Sequence, residues 1–382
     1  MRIAIACFPT LGGSGIVATE VGTRLAARGH EVCFFAEECP PRLHLGAPRV
    51  SLQRVSATPR VPGGHSVYPL ALASALANTR GFDVIHAHYA VPHAASAAFA
   101  RSILNHSGQA APRVVTTLHG TDVTVLGADP ALRAMVRYAV AQSDALSVPS
   151  RWLRERALQV LDLGERTIEV IPNFVDPASF HPRSGDLRGL FPHLPGWDDP
   201  VRRPAVLWHS SSFRALKRVG DAVHALSLIC KTRDAALVLV GDGPERPQVQ
   251  ALAATLGLAD RVLCLGPLPH FTELLACADV FLLPSETESF GLAALEALAC
   301  GVPVVASAVG GLPDVVHHGE TGLLVPAADP AALAAAVLCL LEDELRRRAM
   351  GRAARADAVA RFAPEPAVER YERLLAGESS HC

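Results

Sequence analysis

The sequence predicts an α/β protein built from two doubly wound, parallel-sheet domains, and three observations carry that expectation. The chain has 382 residues, more than one hydrophobic core usually supports. Half of its residues are apolar while aromatics make up only 5%, so Ala, Leu and Val supply the bulk, as suits helices packed on buried parallel strands. Short β-branched runs also alternate with helix-length Ala/Leu-rich stretches throughout, which is the βαβ rhythm.

In the first half these runs fall at 3–7, 32–36, 84–87, 114–118, 145–148 and 168–171. The helix after the first run carries Val17, Val21 and Leu25 on one face and ends at Gly29. The cadence restarts at 205–209, then 236–240, 262–265, 280–283, 302–306 and 322–325. Between the two series, 174–203 is rich in Pro, Gly and Asp with little periodicity, and reads as a linker plus loops, not as a packed element. The expected division is an N-terminal domain over 1–173, linker and loops over 174–203, and a C-terminal domain over 204–363. The amphipathic segment 364–376 is expected to form a helix that returns to the N-terminal domain.

Composition excludes several classes of function. A formal net charge of −2 leaves no basic surplus, so no nucleic-acid partner is expected and any anion site must be local. The nine cysteines are scattered and never form a C-x-x-C pair, which suits cytosolic thiols better than a disulfide framework or a zinc site. Residues 1–8 are apolar but too short for a signal-peptide core. The longest charge-free stretch, 297–313, is broken by Gly301, Pro303, Gly310 and Gly311, so no membrane partner is expected. A cytoplasmic location follows as an expectation, and a homodimer stays open.

The most informative string is Glu288-Ser289-Phe290-Gly291-Leu292-Ala293-Ala294-Leu295-Glu296, set between a strand and a helix. Two readings compete for it. Glu288 and Glu296 can hold two hydroxyl groups of one ligand while the amides of Phe290, Gly291 and Leu292 face an anion at the positive helix end. Alternatively, Glu288 is an acidic cap and Glu296 a solvated helical residue.

In the first half, Gly12-Gly13-Ser14-Gly15 lies between a strand and a helix. Gly13-x-Gly15-x-x-Ala18 fits a degenerate dinucleotide fingerprint, with Glu37 or Glu38 at a plausible distance for a ribose contact, so a nicotinamide-dependent oxidoreductase is a second reading. Pro9, Thr10, Leu11 and Gly12 make that loop longer than the dinucleotide turn. His86-Ala87-His88-Tyr89-Ala90-Val91-Pro92-His93 and Thr117-Leu118-His119-Gly120-Thr121-Asp122 follow buried strands, whose ends face the ligand in such sheets. Their spacing does not suit zinc, and core or hydrogen-bonding roles are preferred to metal binding.

Together with Gly310-Gly311-Leu312-Pro313-Asp314, the run Gly319-Glu320-Thr321-Gly322 and Asp329, the Glu288–Glu296 string resembles the C-terminal domain of the GT4 family of retaining GT-B glycosyltransferases. That resemblance implies two Rossmann-like domains facing a central cleft, with no metal and no cofactor. It implies Glu288 on the donor sugar, the amides of Phe290, Gly291 and Leu292 on sugar and phosphate, and Glu296 on the ribose hydroxyls. The loop at Gly241 would lie beside the nucleotide, and Gly13, Ser14 and Gly15 would face the donor diphosphate. In Ser212-Phe213-Arg214-Ala215-Leu216-Lys217-Arg218, Arg214 and Lys217 are the cations expected to neutralise the departing diphosphate. Taken alone, that cluster also reads as a solvated basic helix start. No D-x-D metal motif occurs in the chain.

With the histidine strings and Ile171-Pro172-Asn173-Phe174, the chain is similar to a branch of the family that uses UDP-N-acetylglucosamine and L-malate, in the first step of bacillithiol biosynthesis. Another GT4 acceptor, such as a phosphorylated polyol, is the alternative. The family's His-Gly-x-Asp pattern implies that His119 lies against the donor sugar, with a core histidine orienting Asp122 as the other reading. For malate the candidates are Ser14, Tyr89, Thr121, Asn173 and Arg151, although Arg151 also reads as a solvated helix start and Asn173 as a turn residue. The chain departs from the expected pattern at Ser212, where Asn is anticipated, and in the longer, proline-rich stretch 184–203.

Overall fold

The structure is a computed structural model, and it describes residues 1–10, 12–56, 66–199 and 203–378. Leu11 of the glycine loop and residues 200–202 of the linker lie outside the described residues. The chain divides into two compact units, Met1–Asn173 with Glu365–Cys382, and Phe174–Pro364.

The first unit is built on seven strands: β1 (Arg2–Ala6), β2 (Glu31–Ala36), β3 (Val50–Arg54), β4 (Val84–His88), β5 (Arg113–Thr117), β6 (Ala145–Val148) and β7 (Glu169–Val170). They pair in parallel in the order β3-β2-β1-β4-β5-β6-β7. Ala4, Ala6, Phe35, Ile85 and Val114 pack one face of this sheet against Leu72, Leu76 and Leu104. The helix Pro364–Ala376 belongs mainly to this unit. Its Tyr371 is buried beside His86, Glu372 pairs with Arg28 and His30, and Arg370 pairs with Glu169.

The second unit carries six parallel strands: β8 (Ala205–Ser210), β9 (Ala235–Val240), β10 (Val262–Gly266), β11 (Val280–Leu283), β12 (Val304–Ser307) and β13 (Gly322–Val325). Their order is β10-β9-β8-β11-β12-β13. Alternation along the strands splits the core. Leu207, Leu237, Leu282 and Val305 face Val223, Leu226 and Val337 on one side. Trp208, Val238, Phe281 and Val304 face Phe290, Leu295 and Leu298 on the other.

Two expectations need correction. Strand β3 is absent from the sequence reading because it is an edge strand whose residues are all half-buried or exposed, so it lacks the apolar run of its neighbours. The segment 174–203 is not a mere linker: Val175, Phe180, Leu187, Phe191 and Leu194 are core residues of the second unit. Arg355 donates to the carbonyls of Pro177, Phe180 and Ala299, and the Val175 amide donates to the Phe362 carbonyl at 3.1 Å. Irregular backbone gives such residues no period, which is why composition alone misread them.

Among the described residues, no helix is long and apolar enough to cross a membrane.

Candidate active site

In a doubly wound sheet, ligands bind beyond the strand C-termini where the strand order reverses. In the second sheet that point lies between β8 and β11, and both strands lead into the strings singled out above. After β8 the chain runs through Ser211–Arg214 into a short 3-10 turn, Ala215–Lys217. After β11 it runs through Ser285 to Gly291, the N-cap of helix Leu292–Ala299.

The two loops meet. Lys217 Nζ donates to Glu288 Oε1 at 2.5 Å, with only 14% and 10% of the two side chains exposed. Ser285 Oγ donates to the same oxygen at 3.1 Å, and the Glu286 amide donates to the Leu216 carbonyl at 2.8 Å. Glu288 therefore does not cap the helix, which has no side-chain cap. Glu296 is buried, which removes the solvated reading, because a carboxylate out of water must be paired.

Arg214 is exposed, and its Nε donates to Ser212 Oγ at 3.2 Å, so the residue that departs from the expected pattern orients this guanidinium. The basic loop is stitched to the loop after β9. Phe213 N–H donates to the Asp242 carbonyl, and Glu245 N–H to the Phe213 carbonyl, both at 2.9 Å. Gly241 permits this approach, since at φ +122° a Cβ would lie 1.9 Å from the Ser211 carbonyl oxygen. Phe290 is a core residue packed edge-on to Phe362, so only its backbone is left to serve a ligand.

Sequence reasoning missed His209, Ser211 and Ser285. His209 Nδ1 donates to the Leu282 carbonyl at 2.9 Å, which leaves Nε2 to accept from Ser211 Oγ at 2.7 Å. No spacing rule signals the bond from His209 to Leu282, because it crosses between strands.

In the first unit the order reverses between β1 and β4, and the glycine loop follows β1. Helix Gly13–Ala27 starts there with Gly12 as N-cap. The Gly15 amide is spent on the Gly12 carbonyl at 3.1 Å, so Gly15 serves packing, and Gly13 and Ser14 remain the outward members of the trio. Phe8 lies edge-on to Tyr89, with ring centroids 5.2 Å apart. Tyr89 stacks on His119 at 6.0 Å, and its hydroxyl bonds Thr121 Oγ1.

Asp122 accepts from the amides of His119, Gly120 and Ala90. The carboxylate thus orders the loop that carries His119, and the imidazole does not orient Asp122. For Ser14, Asn173 and Arg151 there is no hydrogen bond to the Tyr89, Thr121 and His119 group among the described residues. Asn173 is buried with Oδ1 unpartnered, and Arg151 is exposed behind the N-cap Ser150.

Burial holds His86 and His119 at about 3 and His93 at about 4, and keeps His88 well below the ordinary range. Each titrates near 6.5 when unfolded, so below that pH the unfolded chain binds more protons and stability falls as pH drops. The slope for each histidine grows as pH falls, toward a limit of about 1.4 kcal/mol per pH unit well below 6.5. Asp122 works the other way: burial pushes its carboxyl up to about 6 against the pull of the backbone amides, so it offsets part of this loss between pH 6 and 3.8. The second unit contributes His209, at about 4. Calorimetry between pH 7 and 5.5 should show the first unit's transition falling more steeply than the second's, and parallel shifts would contradict this account.

A cavity of about 290 Å³ lies at the opposite end of the second sheet, by the N-termini of β8 and β11, lined by Arg203, Arg233, Asp279 and Arg347. Arg203 and Arg347 both pair with Asp279 there, and the cavity is remote from the loops described above.

Comparison with known proteins gives the family. The pattern of "Glycosyltransferase Family 4" matches residues 11–179, and that of "Glycosyl transferases group 1" matches 200–357. The N-acetyl-alpha-D-glucosaminyl L-malate synthase of Bacillus anthracis is 39% identical over 377 residues, covering 98% of this chain and 96% of that one. The chain belongs to glycosyltransferase family 4. A D-inositol 3-phosphate glycosyltransferase of Acidothermus cellulolyticus is 34% identical to this family 4 glycosyltransferase over 88% of the chain and 79% of its own length. Sucrose-phosphate synthase from Thermosynechococcus elongatus superposes with a TM-score of 0.79 at 25% identity, covering 99% of this chain and 98% of that one. Anabaena HepE, solved with UDP and glucose, gives 0.79 at 20% identity over 98% and 99% of the two chains. The fold of this glycosyltransferase is GT-B. The nicotinamide reading gives way, since the loop between β1 and its helix is too long for a dinucleotide turn.

Proposed function

We propose that the enzyme transfers N-acetylglucosamine from UDP-N-acetylglucosamine to the hydroxyl of L-malate with retention at the anomeric carbon, the first step of bacillithiol biosynthesis. The observation that carries this reading is the Lys217 and Glu288 pair at the reversal point of the second sheet, next to the uncapped helix Leu292–Ala299 and the outward Arg214. A nucleoside diphosphate needs cations and helix-end amides, and a sugar needs carboxylates that accept from its hydroxyls. This cluster supplies both kinds of group.

Lys217 is neutralised by Glu288 before any donor arrives. On donor binding the diphosphate takes over the ammonium, and Glu288 is released to a sugar hydroxyl. Glu296 takes the ribose hydroxyls, Gly241 lies beside the nucleotide, and the amides of Phe290, Gly291 and Leu292 meet sugar and phosphate. Retention without a covalent intermediate brings the acceptor hydroxyl in on the face the phosphate leaves. A β-phosphate oxygen takes its proton, and the C–O bond to malate forms as the bond to UDP breaks. The protein contributes positioning and neutralisation, each well-aimed donor being worth about 3 kcal/mol.

His119, Gly13 and Ser14 face the donor in this reading, and Tyr89, Thr121, Ser14, Asn173 and Arg151 are the candidates for malate. The Bacillus anthracis relative supports malate as acceptor because the similarity spans nearly both chains. The Acidothermus relative makes a phosphorylated polyol the second reading. Incubation with UDP-N-acetylglucosamine and a panel of hydroxy acids and inositol phosphates, followed by mass spectrometry, should yield one new product, with malate. A product with inositol phosphate alone would transfer the assignment to the second reading.

A further inference from the structure

Three fully buried histidines, His86, His88 and His93, cluster with the half-buried His119 in the first unit, and the proposed reaction uses only His119. We infer that His88 is a positioning residue that fixes His119 as the tautomer protonated on Nδ1, so that His119 presents a hydrogen-bond donor, and no basic lone pair, to an oxygen of the transferring sugar. This rests on the reading above that sets His119 beside the donor sugar.

His88 Nδ1 and His119 Nε2 are 3.0 Å apart. Burial keeps both rings neutral at pH 7, so each holds one proton and either can be the donor in this bond. His88 is fully buried, and its Nε2 has no hydrogen-bond partner. Were His119 the donor, the proton of His88 would sit on that Nε2 as a buried N–H without an acceptor. Orphaned N–H groups are rarer in folded proteins than orphaned acceptors.

His93 supplies a case in the same cluster where no choice exists. Its Nδ1 bonds the His88 carbonyl at 2.6 Å, a carbonyl cannot donate, and so its buried, unpartnered Nε2 is bare. The cluster therefore already accommodates an imidazole of the kind assigned to His88. With His88 donating from Nδ1, His119 accepts at Nε2 and must carry its own proton on Nδ1. Among the described residues no group bonds His119 Nδ1, and the stacked Tyr89 ring holds the imidazole plane.

Long-range proton–nitrogen correlation on the full-length protein labelled with nitrogen-15 histidine reads the tautomer directly, with His119 assigned from the signals lost in His119→Gln. The expected result is a protonated Nδ1 and a bare Nε2 on His119, and a protonated Nε2 overturns the inference. In kinetics, His88→Asn keeps an N–H donor at the Nδ1 position and should retain kcat within about threefold, whereas His88→Leu should lower it about thirtyfold without weakening UDP binding. Equal losses in the two variants would also overturn it. The tautomer is read without substrate, so failure of the malate assignment leaves that result standing.

Discussion

Arg214→Ala is expected to lower kcat by at least roughly a hundredfold while leaving the thermal midpoint unchanged. The guanidinium is exposed and, among the described residues, tied by one hydrogen bond, to Ser212, so the fold loses little when it goes. Its expected work is done only when charge builds on the departing diphosphate, and such an interaction lowers the barrier without holding up the ground state. Lys217→Ala should behave differently. It leaves Glu288 buried with Ser285 as its remaining side-chain donor, and stranding one member of a buried pair costs about 3–5 kcal/mol. Steady-state kinetics and thermal unfolding of the two variants separate a cation that acts in the reaction from one that also supports the fold. Near-normal turnover of Arg214→Ala would remove that residue from the mechanism.

Gly310→Ala should be severely damaging to the second unit. At φ +58° a Cβ on residue 310 would lie 1.8 Å from the Glu288 carbonyl oxygen, and the Gly311 amide donates to that oxygen at 2.9 Å. Both partners are backbone, so relief requires moving the segment that positions Glu288. A loss of about 3 kcal/mol in stability and at least roughly a hundredfold in turnover is expected. Gly319→Ala is the control. Its φ of +83° is also left-handed, but nothing stands within 4 Å, so only the backbone term of about 1–2 kcal/mol applies and activity should persist. Urea unfolding with parallel kinetics tests the contrast, and equal behaviour of the two variants would show that the approach to Glu288 does not control the site.

Much of this architecture was legible before any coordinates. Strands of such sheets appear as short, mostly apolar runs, and the twelve runs coincide with strands of the two sheets. The loops that follow them carry Glu288, Arg214, Lys217 and His119, because side chains at strand ends are free to differ from the core. The exceptions have two causes. Strand β3 is an edge strand that buries no residue fully and so shows no apolar run, whereas the packed part of 174–203 buries residues without a repeating period, and a period is what a linear reading detects.

Amino-acid sequence alone determined the two-sheet plan, the family and the kinds of group in the site, since each depends on local pattern and residue type. Tertiary structure decided who meets whom. Lys217 and Glu288 are 71 positions apart, and His88 and His119 are 31 apart. They become neighbours because strand order sets β8 beside β11 and β4 beside β5. Burial then turned solvated candidates into partners: once water is excluded, a carboxylate must find a cation and an imidazole must commit its proton.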